Sequence, residues 1–88
     1  MWSKDEFLRK ASGLACASVS ELLSQRRHGH LVRVRWACYL VLINRGNTYP
    51  QAGSTMKKDH TTIIHGVKKA RELMETDSEF RAMVGALT

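Results

Sequence analysis

The most informative part of the sequence is residues 57–69, which read KKDHTTIIHGVKK. Asp59 is a favourable residue for the N-cap of a helix, and apolar residues recur at helical spacing after it. These apolar residues are Ile63, Val67, Ala70 and Met74, flanked by Ile64 and Leu73. Polar residues occupy the opposite side, at Thr61, His65, Lys68 and Glu72. The pattern predicts an amphipathic helix that begins at Asp59 and has a polar outer face.

A shorter helix is predicted immediately before it. Thr48 can cap this helix, Pro50 is tolerated in its first turn, and the pattern continues to about Met56. The pair Lys57-Lys58 then leaves only a tight connection to the longer helix. A short helix, a tight turn and a longer helix form a helix-turn-helix outline, whose second helix typically enters the major groove of DNA. Packing alone produces the same outline in many all-α domains, so the outline by itself does not fix the function.

The rest of the chain also has helical patterns. Residues 3–6 and 18–21 match the capping box, in which a Ser and a Glu three residues later satisfy each other's backbone. They predict a helix over about residues 4–14 and a short helix from residue 19. Two more helices are predicted, over about residues 31–44 and from an N-cap at Ser78, with polar breaks at residues 26–30 and 75–78. The sequence therefore predicts one all-α domain, residues 1–88, built from five or six short helices.

The helix predicted over residues 31–44 has one broad apolar face, formed by Val32, Trp36, Tyr39, Leu40 and Ile43. Because Trp36 and Tyr39 share this face, we expect them in the core rather than on the surface as stacking platforms. The two cysteines, at positions 16 and 38, are expected to be small buried hydrophobic residues.

The charge of the chain is concentrated in its middle. The net charge is +6, yet residues 26–69 contain nine Lys or Arg and one acid, Asp59, so the surplus belongs entirely to this segment. Clustered positive charge attracts phosphate and releases its counterions, which indicates a polyanionic partner such as double-stranded DNA. The alternative is a solvated surface that keeps a small protein soluble.

Several classes of protein are disfavoured. The longest apolar run, residues 36–43, is far shorter than the roughly 20 residues that span a membrane, and no secretory leader is recognisable. Two cysteines do not form a disulfide framework, and their spacing from the histidines matches no zinc site. We therefore expect a cytoplasmic, nucleoid-associated protein with no cofactor, no metal and no membrane partner.

The segment Lys58-Asp59-His60-Thr61-Thr62-Ile63-Ile64-His65, followed by Val67-Lys68-Lys69, resembles a signature of a known family. The family is the bacterial replication initiator DnaA, and the signature belongs to its C-terminal DNA-binding domain, domain IV. Three upstream segments resemble other elements of that domain in the same order, at residues 19–27, 32–35 and 49–53. The resemblance is strongest over residues 19–73.

This resemblance implies a Trp-repressor-like helical fold that binds the nine-base-pair DnaA box. It implies that Asp59, His60 and Thr61 read bases in the major groove and that Arg27 enters the minor groove. It further implies a set of residues that hold the DNA backbone: Arg35, Pro50, Lys57, Lys58, Thr62, His65 and Lys68. We expect one monomer to bind each site.

The chemistry of these residue types suits such roles. A carboxylate at Asp59 can accept from the cytosine amino group, and the methyl group of Thr61 can pack on a thymine methyl. His60 can donate to a purine acceptor, and the planar guanidinium of Arg27 suits a narrow minor groove. Simpler interpretations stay open: Asp59 as a helix cap, His60 as a surface histidine, Thr61 as a helix-start hydroxyl and Arg27 as part of a solvated break.

The chain departs from the family at several positions. Val34 stands where the family usually has Pro, Trp36 where a polar residue often meets the DNA backbone, and Lys57 where a Gly is usual. No G-x-x-x-x-G-K-[ST] loop is present, so we expect site recognition without ATP-driven melting. This small format is typical of a phage, prophage or plasmid product that competes with or titrates an initiator.

An enzyme is not expected, because the basic half of the chain offers a single carboxylate and no nucleophile with a recognisable base. Two alternatives to box recognition remain. One is an initiator-mimicking module that docks an initiator or a replication regulator without DNA. The other is a transcriptional regulator that binds DNA without specificity for the DnaA box.

Overall fold

The structure is a computed structural model that describes residues 3–88; the first two positions of the predicted 1–88 domain lie outside the described residues. Residues 3–88 form six helices and no strand, which confirms the prediction of an all-α fold. In chain order the helices are α1 (Lys4–Ala15), α2 (Val19–Leu22), α3 (Gly29–Asn44), α4 (Tyr49–Met56), α5 (His60–Thr76) and α6 (Ser78–Leu87).

Local capping explains where most of these helices begin. The capping box predicted at Ser18 is complete, since its hydroxyl accepts from Glu21 N at 3.1 Å and the Glu21 carboxylate accepts from Ser18 N. Thr48 caps α4 as predicted, by accepting from the backbone N–H of residue 51 at 3.2 Å. Ser3 caps α1 through its hydroxyl, but the returning contact from the Glu6 carboxylate is missing, so only half of that box forms.

Two predicted helix starts are wrong. Helix α3 begins at Gly29 instead of about Leu31, and the break between α2 and α3 covers residues 23–28 instead of 26–30. Helix α6 is capped by Asp77 and not by Ser78, which is its first helical residue. Asp77 Oδ1 accepts from the backbone N–H groups of residues 79 and 80 at 3.0 and 3.2 Å, and Asp77 Oδ2 pairs with Arg33. The Asp77 carboxylate both caps α6 and pairs with Arg33, so the N-cap is Asp77, one residue before the predicted Ser78.

Helix α3 lies at the centre of the fold and packs against α1, α4, α5 and α6. The prediction of one broad apolar face is therefore too narrow, because α3 is buried on most sides. Tyr39 is buried as predicted, whereas Trp36 is only half-buried at the edge of the core. Other fully buried α3 residues are Val34, Ala37, Cys38, Val41 and Leu42.

The helix pair α3–α5 packs very closely, and this contact sets the direction in which α5 faces solvent. A Cβ atom at Gly66 would collide with the ring of Tyr39 and approach Trp36 within 3.0 Å.

The prediction that both cysteines are buried is half right. Cys38 is buried, and burial raises the pKa of its thiol to about 12. Cys16 is exposed, because it is the left-handed residue that ends α1, with φ 53°.

Candidate nucleic-acid interface

Helices α4 and α5 form the predicted helix-turn-helix, joined by a very tight turn. Lys57 ends α4 in the left-handed conformation, with φ 54°, and Lys58 N–H donates to the Gly53 carbonyl at 2.9 Å. A Cβ atom at Gly53 would lie 2.5 Å from the Lys58 carbonyl oxygen. Only glycine at this position lets the chain fold back so closely, and the turn thereby fixes the start of α5.

The predicted polar face of α5 does lie in solvent. Ile63, Val67 and Ala70 are buried against the rest of the fold, and they anchor the helix along its inner side. The residues on the outer side are exposed, and they include most of the predicted site residues. Those exposed site residues are Asp59, His60, Thr61, Thr62, His65 and Lys68.

Asp59 occupies the N-cap position of α5, but its side chain does not cap the helix, contrary to the simpler interpretation of this residue. Asp59 Oδ1 lies instead 3.1 Å from Nδ1 of His60, and the two side chains are 68% and 57% exposed. The first-turn N–H groups of α5 therefore keep no side-chain cap. They carry the positive end of the helix dipole into solvent beside an exposed carboxylate.

Arg27 lies on the loop between α2 and α3, on the same side of the molecule as the start of α5. It is exposed, and within residues 3–88 its guanidinium has no hydrogen-bond or ion-pair partner. Its neighbour Arg26 is tied to Glu21, with Nη1 3.2 Å from Oε2. A groove of about 300 Å³ separates Arg27 from the helix-turn-helix, and Lys57, Asp59, Thr62 and Trp36 also line it. The fold thus brings the two predicted base-reading elements together across one groove.

Arg35, predicted to hold the DNA backbone, is buried in the structure. Only 5% of Arg35 is exposed, and its Nε donates to the Leu22 carbonyl at 2.6 Å. Its terminal nitrogens donate to the carbonyls of Glu21 and Arg26 and to the Ser24 hydroxyl. Burial lowers the pKa of this guanidinium, and nearby Arg27 lowers it further. All three guanidinium nitrogens therefore donate inside the protein, and the phosphate contact of Arg35 stays a prediction.

Lys58, predicted to hold the DNA backbone as well, also donates to protein carbonyls. Its Nζ donates to the carbonyls of Leu23 and Ser24, at 3.1 and 2.7 Å, and the side chain is half-buried. Desolvation lowers the pKa of the ammonium group, and the adjacent charge of Arg35 adds to that effect. Lys57, by contrast, is exposed in the turn. The motif position alone does not reveal that two adjacent lysines point in different directions.

The structure adds one residue that the sequence prediction left aside. Ile64 is 43% exposed, and it is the one exposed large hydrophobic residue in the described part of the chain. It lines a groove of about 420 Å³ with Tyr49, Lys68 and Arg71. Pro50 is exposed close by, in the first turn of α4. A helical projection places Ile64 nearer the polar side of α5 than the buried side, so this signal was available in the sequence.

The described part of the chain, residues 3–88, holds no group of three or more His, Cys, Asp or Glu side chains that could bind a metal ion. None of its helices has both the length and the apolar composition needed to cross a membrane.

Fold and site together define an all-α helix-turn-helix protein with an exposed, basic second helix. No protein-family model matches the chain. Three curated relatives share the name chromosomal replication initiator protein DnaA. The protein of Geobacter sp. is 44% identical over 68 residues, which cover 75% of this chain and 15% of the relative. The protein of Rickettsia bellii is 32% identical over 85 residues, which cover 94% of this chain and 18% of the relative. The protein of Mycoplasma genitalium is 31% identical over 70 residues, which cover 78% of this chain and 16% of the relative.

The chain spans less than a fifth of the length of these relatives. It is homologous to the DnaA proteins over this limited region, and it resembles their C-terminal domain, as the sequence predicted.

Proposed function

We propose that this protein binds double-stranded DNA at a DnaA-box-like site, in the initiation of replication or its regulation, and that it catalyses no reaction. The observation that carries the proposal is the exposed start of α5, where Asp59, His60 and Thr61 project beside the exposed Arg27. Relatives named as replication initiators support the same function.

In the proposed complex the first turn of α5 lies in the major groove, which is about 12 Å wide and admits a helix. Asp59 accepts from a cytosine amino group, His60 donates to a purine and the Thr61 methyl packs on a thymine methyl. Arg27 enters the neighbouring minor groove, where its flat guanidinium follows the negative potential of a narrow segment.

A single DNA strand separates a major groove from the adjacent minor groove. That strand has to pass between Arg27 and α5, where the structure has its 300 Å³ groove. Lys57 and Thr62 line this groove and supply the charge and the hydroxyl that phosphates require. His65 and Lys68 extend the basic surface along α5, and Pro50 offers an apolar contact at the start of α4.

The 88-residue sequence contains no P-loop. We propose that it occupies origin-type sites as a monomer in the nucleoid, and that it competes with a full-length initiator or marks sites for one.

The test is a fluorescence anisotropy titration with two labelled duplexes of equal length and base composition, one with a DnaA box and one scrambled. Specific recognition predicts that the box binds about 10-fold to 1,000-fold more tightly at one fixed salt concentration, since each mismatched base pair costs about 1–3 kcal/mol. Equal affinity for the two duplexes would reduce binding to nonspecific charge attraction. No binding to either would favour a protein-docking module.

A further inference from the structure

Two buried or half-buried cations hold the end of α2 and the segment that follows it. Arg35 donates to the backbone carbonyls of Glu21, Leu22 and Arg26 and to the Ser24 hydroxyl. Lys58 donates to the carbonyls of Leu23 and Ser24. We call the side chains of Arg35 and Lys58, together with segment 21–26, the clasp. Every residue of the segment except Gln25 provides at least one oxygen to it.

The segment depends on these contacts because α2 is only four residues long. A helix of one turn is not stable by itself, and the carbonyls at its C-terminal end have no partners within the helix. Cations at this end satisfy the carbonyls and complement the negative end of the helix dipole. Arg35 comes from the central helix α3, and Lys58 comes from the helix-turn-helix, so the segment is fixed from two sides.

The clasp joins the two elements that the proposed function uses. Arg27 directly follows segment 21–26, and Asp59 directly follows Lys58. The Lys58 ammonium therefore connects the loop that carries Arg27 to the turn that precedes α5. If this contact is lost, Arg35 still holds the segment from α3, but no direct contact holds it to the turn before α5, and the separation between Arg27 and α5 is less firmly set.

We infer that Arg35 and Lys58 are positioning residues that set the spacing between the minor-groove arginine and the major-groove helix, so that one protein reads both grooves together. This inference rests on the proposed function. It assigns the two cations to the discrimination of sequences and not to the attraction of phosphate. A phosphate contact by Lys58 would require its ammonium to leave two backbone carbonyls at 3.1 and 2.7 Å.

The first test compares Lys58→Met with Lys57→Met, a matched pair of adjacent lysines, one half-buried and one exposed. Lys58→Met should lower the preference for the box over the scrambled duplex by about 10-fold, the size of one lost base contact, and leave the salt dependence unchanged. Lys57→Met should weaken both duplexes alike and reduce the slope of log K against log salt by about 0.9. Lys58→Arg, which keeps a cation and several donors, should restore most of the preference.

The second test is a double-mutant cycle between Lys58→Met and Arg27→Ala. If Lys58 acts through Arg27, the double variant should discriminate about as poorly as Arg27→Ala alone, because the positioned group is already missing. Circular dichroism confirms that each variant is folded. Lys58→Gln, which keeps an N–H donor without the charge, replaces Lys58→Met in the cycle if the latter unfolds.

Three results would overturn the inference. One is an unchanged box preference in Lys58→Met, another is a fall of about one unit in its salt slope, and the third is a cycle in which the two effects simply multiply. The wild-type titration separates this failure from that of the proposed function. If the wild type itself binds both duplexes equally, both proposals are refuted. If the wild type prefers the box and Lys58→Met prefers it equally well, only the positioning role of Arg35 and Lys58 is refuted.

Discussion

Replacing Gly53 with alanine should disturb the turn of the helix-turn-helix more than its small size suggests. The added Cβ atom would lie 2.5 Å from the Lys58 carbonyl oxygen, and the opposing atom is backbone, which cannot rotate away. Overpacking of this kind costs about 1–3 kcal/mol, while the better helix propensity of alanine returns at most about 1 kcal/mol. We expect a net loss of about 1–2 kcal/mol in the free energy of unfolding.

The chain provides matched controls at Gly13 in α1 and Gly85 in α6. Neither position has an atom within 4 Å of an added Cβ, so alanine there should gain helix propensity without a collision. Urea unfolding followed by circular dichroism at 222 nm measures all three variants. Gly53→Ala should unfold at lower urea than the wild type, and Gly13→Ala and Gly85→Ala at equal or higher urea.

The same variant connects the turn to the proposed site. A shift of the Lys58 backbone moves Asp59 and the first turn of α5, so Gly53→Ala should also lose part of its preference for the box duplex. If Gly53→Ala proved as stable as Gly85→Ala and kept the full preference, the close approach would not control the position of α5, and the reasoning from the turn would be refuted.

Three other variants examine separate parts of the structure. His60→Ala should reduce the preference for the box by about 5-fold to 150-fold in anisotropy titrations, as expected for one base contact; an unchanged preference would contradict its major-groove assignment. Lys68→Ala should weaken all duplexes alike and lower the salt slope by about one unit, whereas an unchanged slope would remove it from the phosphate contacts. Asp77→Ala should lower the free energy of unfolding by about 1–3 kcal/mol through the lost cap and the lost partner of Arg33. Asp77→Asn keeps the capping oxygen and should lose less, and equal losses in the two variants would mean that the cap contributes nothing and that the loss comes from the charge pair with Arg33.

Local features of the fold could be predicted from the sequence because their causes are local. The caps at Ser18 and Thr48 depend on residues within three positions, and the polar face of α5 follows from helical spacing alone. The start of α6 was harder, since Asp77 and Ser78 are both good caps. The choice between them depends on Arg33, which lies far away in the sequence but close in the fold.

The roles of the cations could not be predicted in the same way. Arg27, Arg35 and Lys58 all stand at family motif positions, and residue type gives each of them the same charge. Their difference comes from tertiary packing, which brings segment 21–26 over Arg35 and Lys58 and leaves Arg27 outside. A motif match thus identifies the surface that contains the site, while burial decides which of its charges can reach a ligand.

The exposed carboxylate of Asp59 has a consequence for selectivity in the proposed complex. It is the one acid in the strongly basic segment, and it stands where the helix would first meet the base pairs. A guanine edge or a thymine O4 at that position would offer it only acceptors, which repel an anion, whereas a cytosine amino group there would donate to it. The surrounding positive charge would thus attract any duplex, and the Asp59 carboxylate would weaken binding to those that present an acceptor at this position.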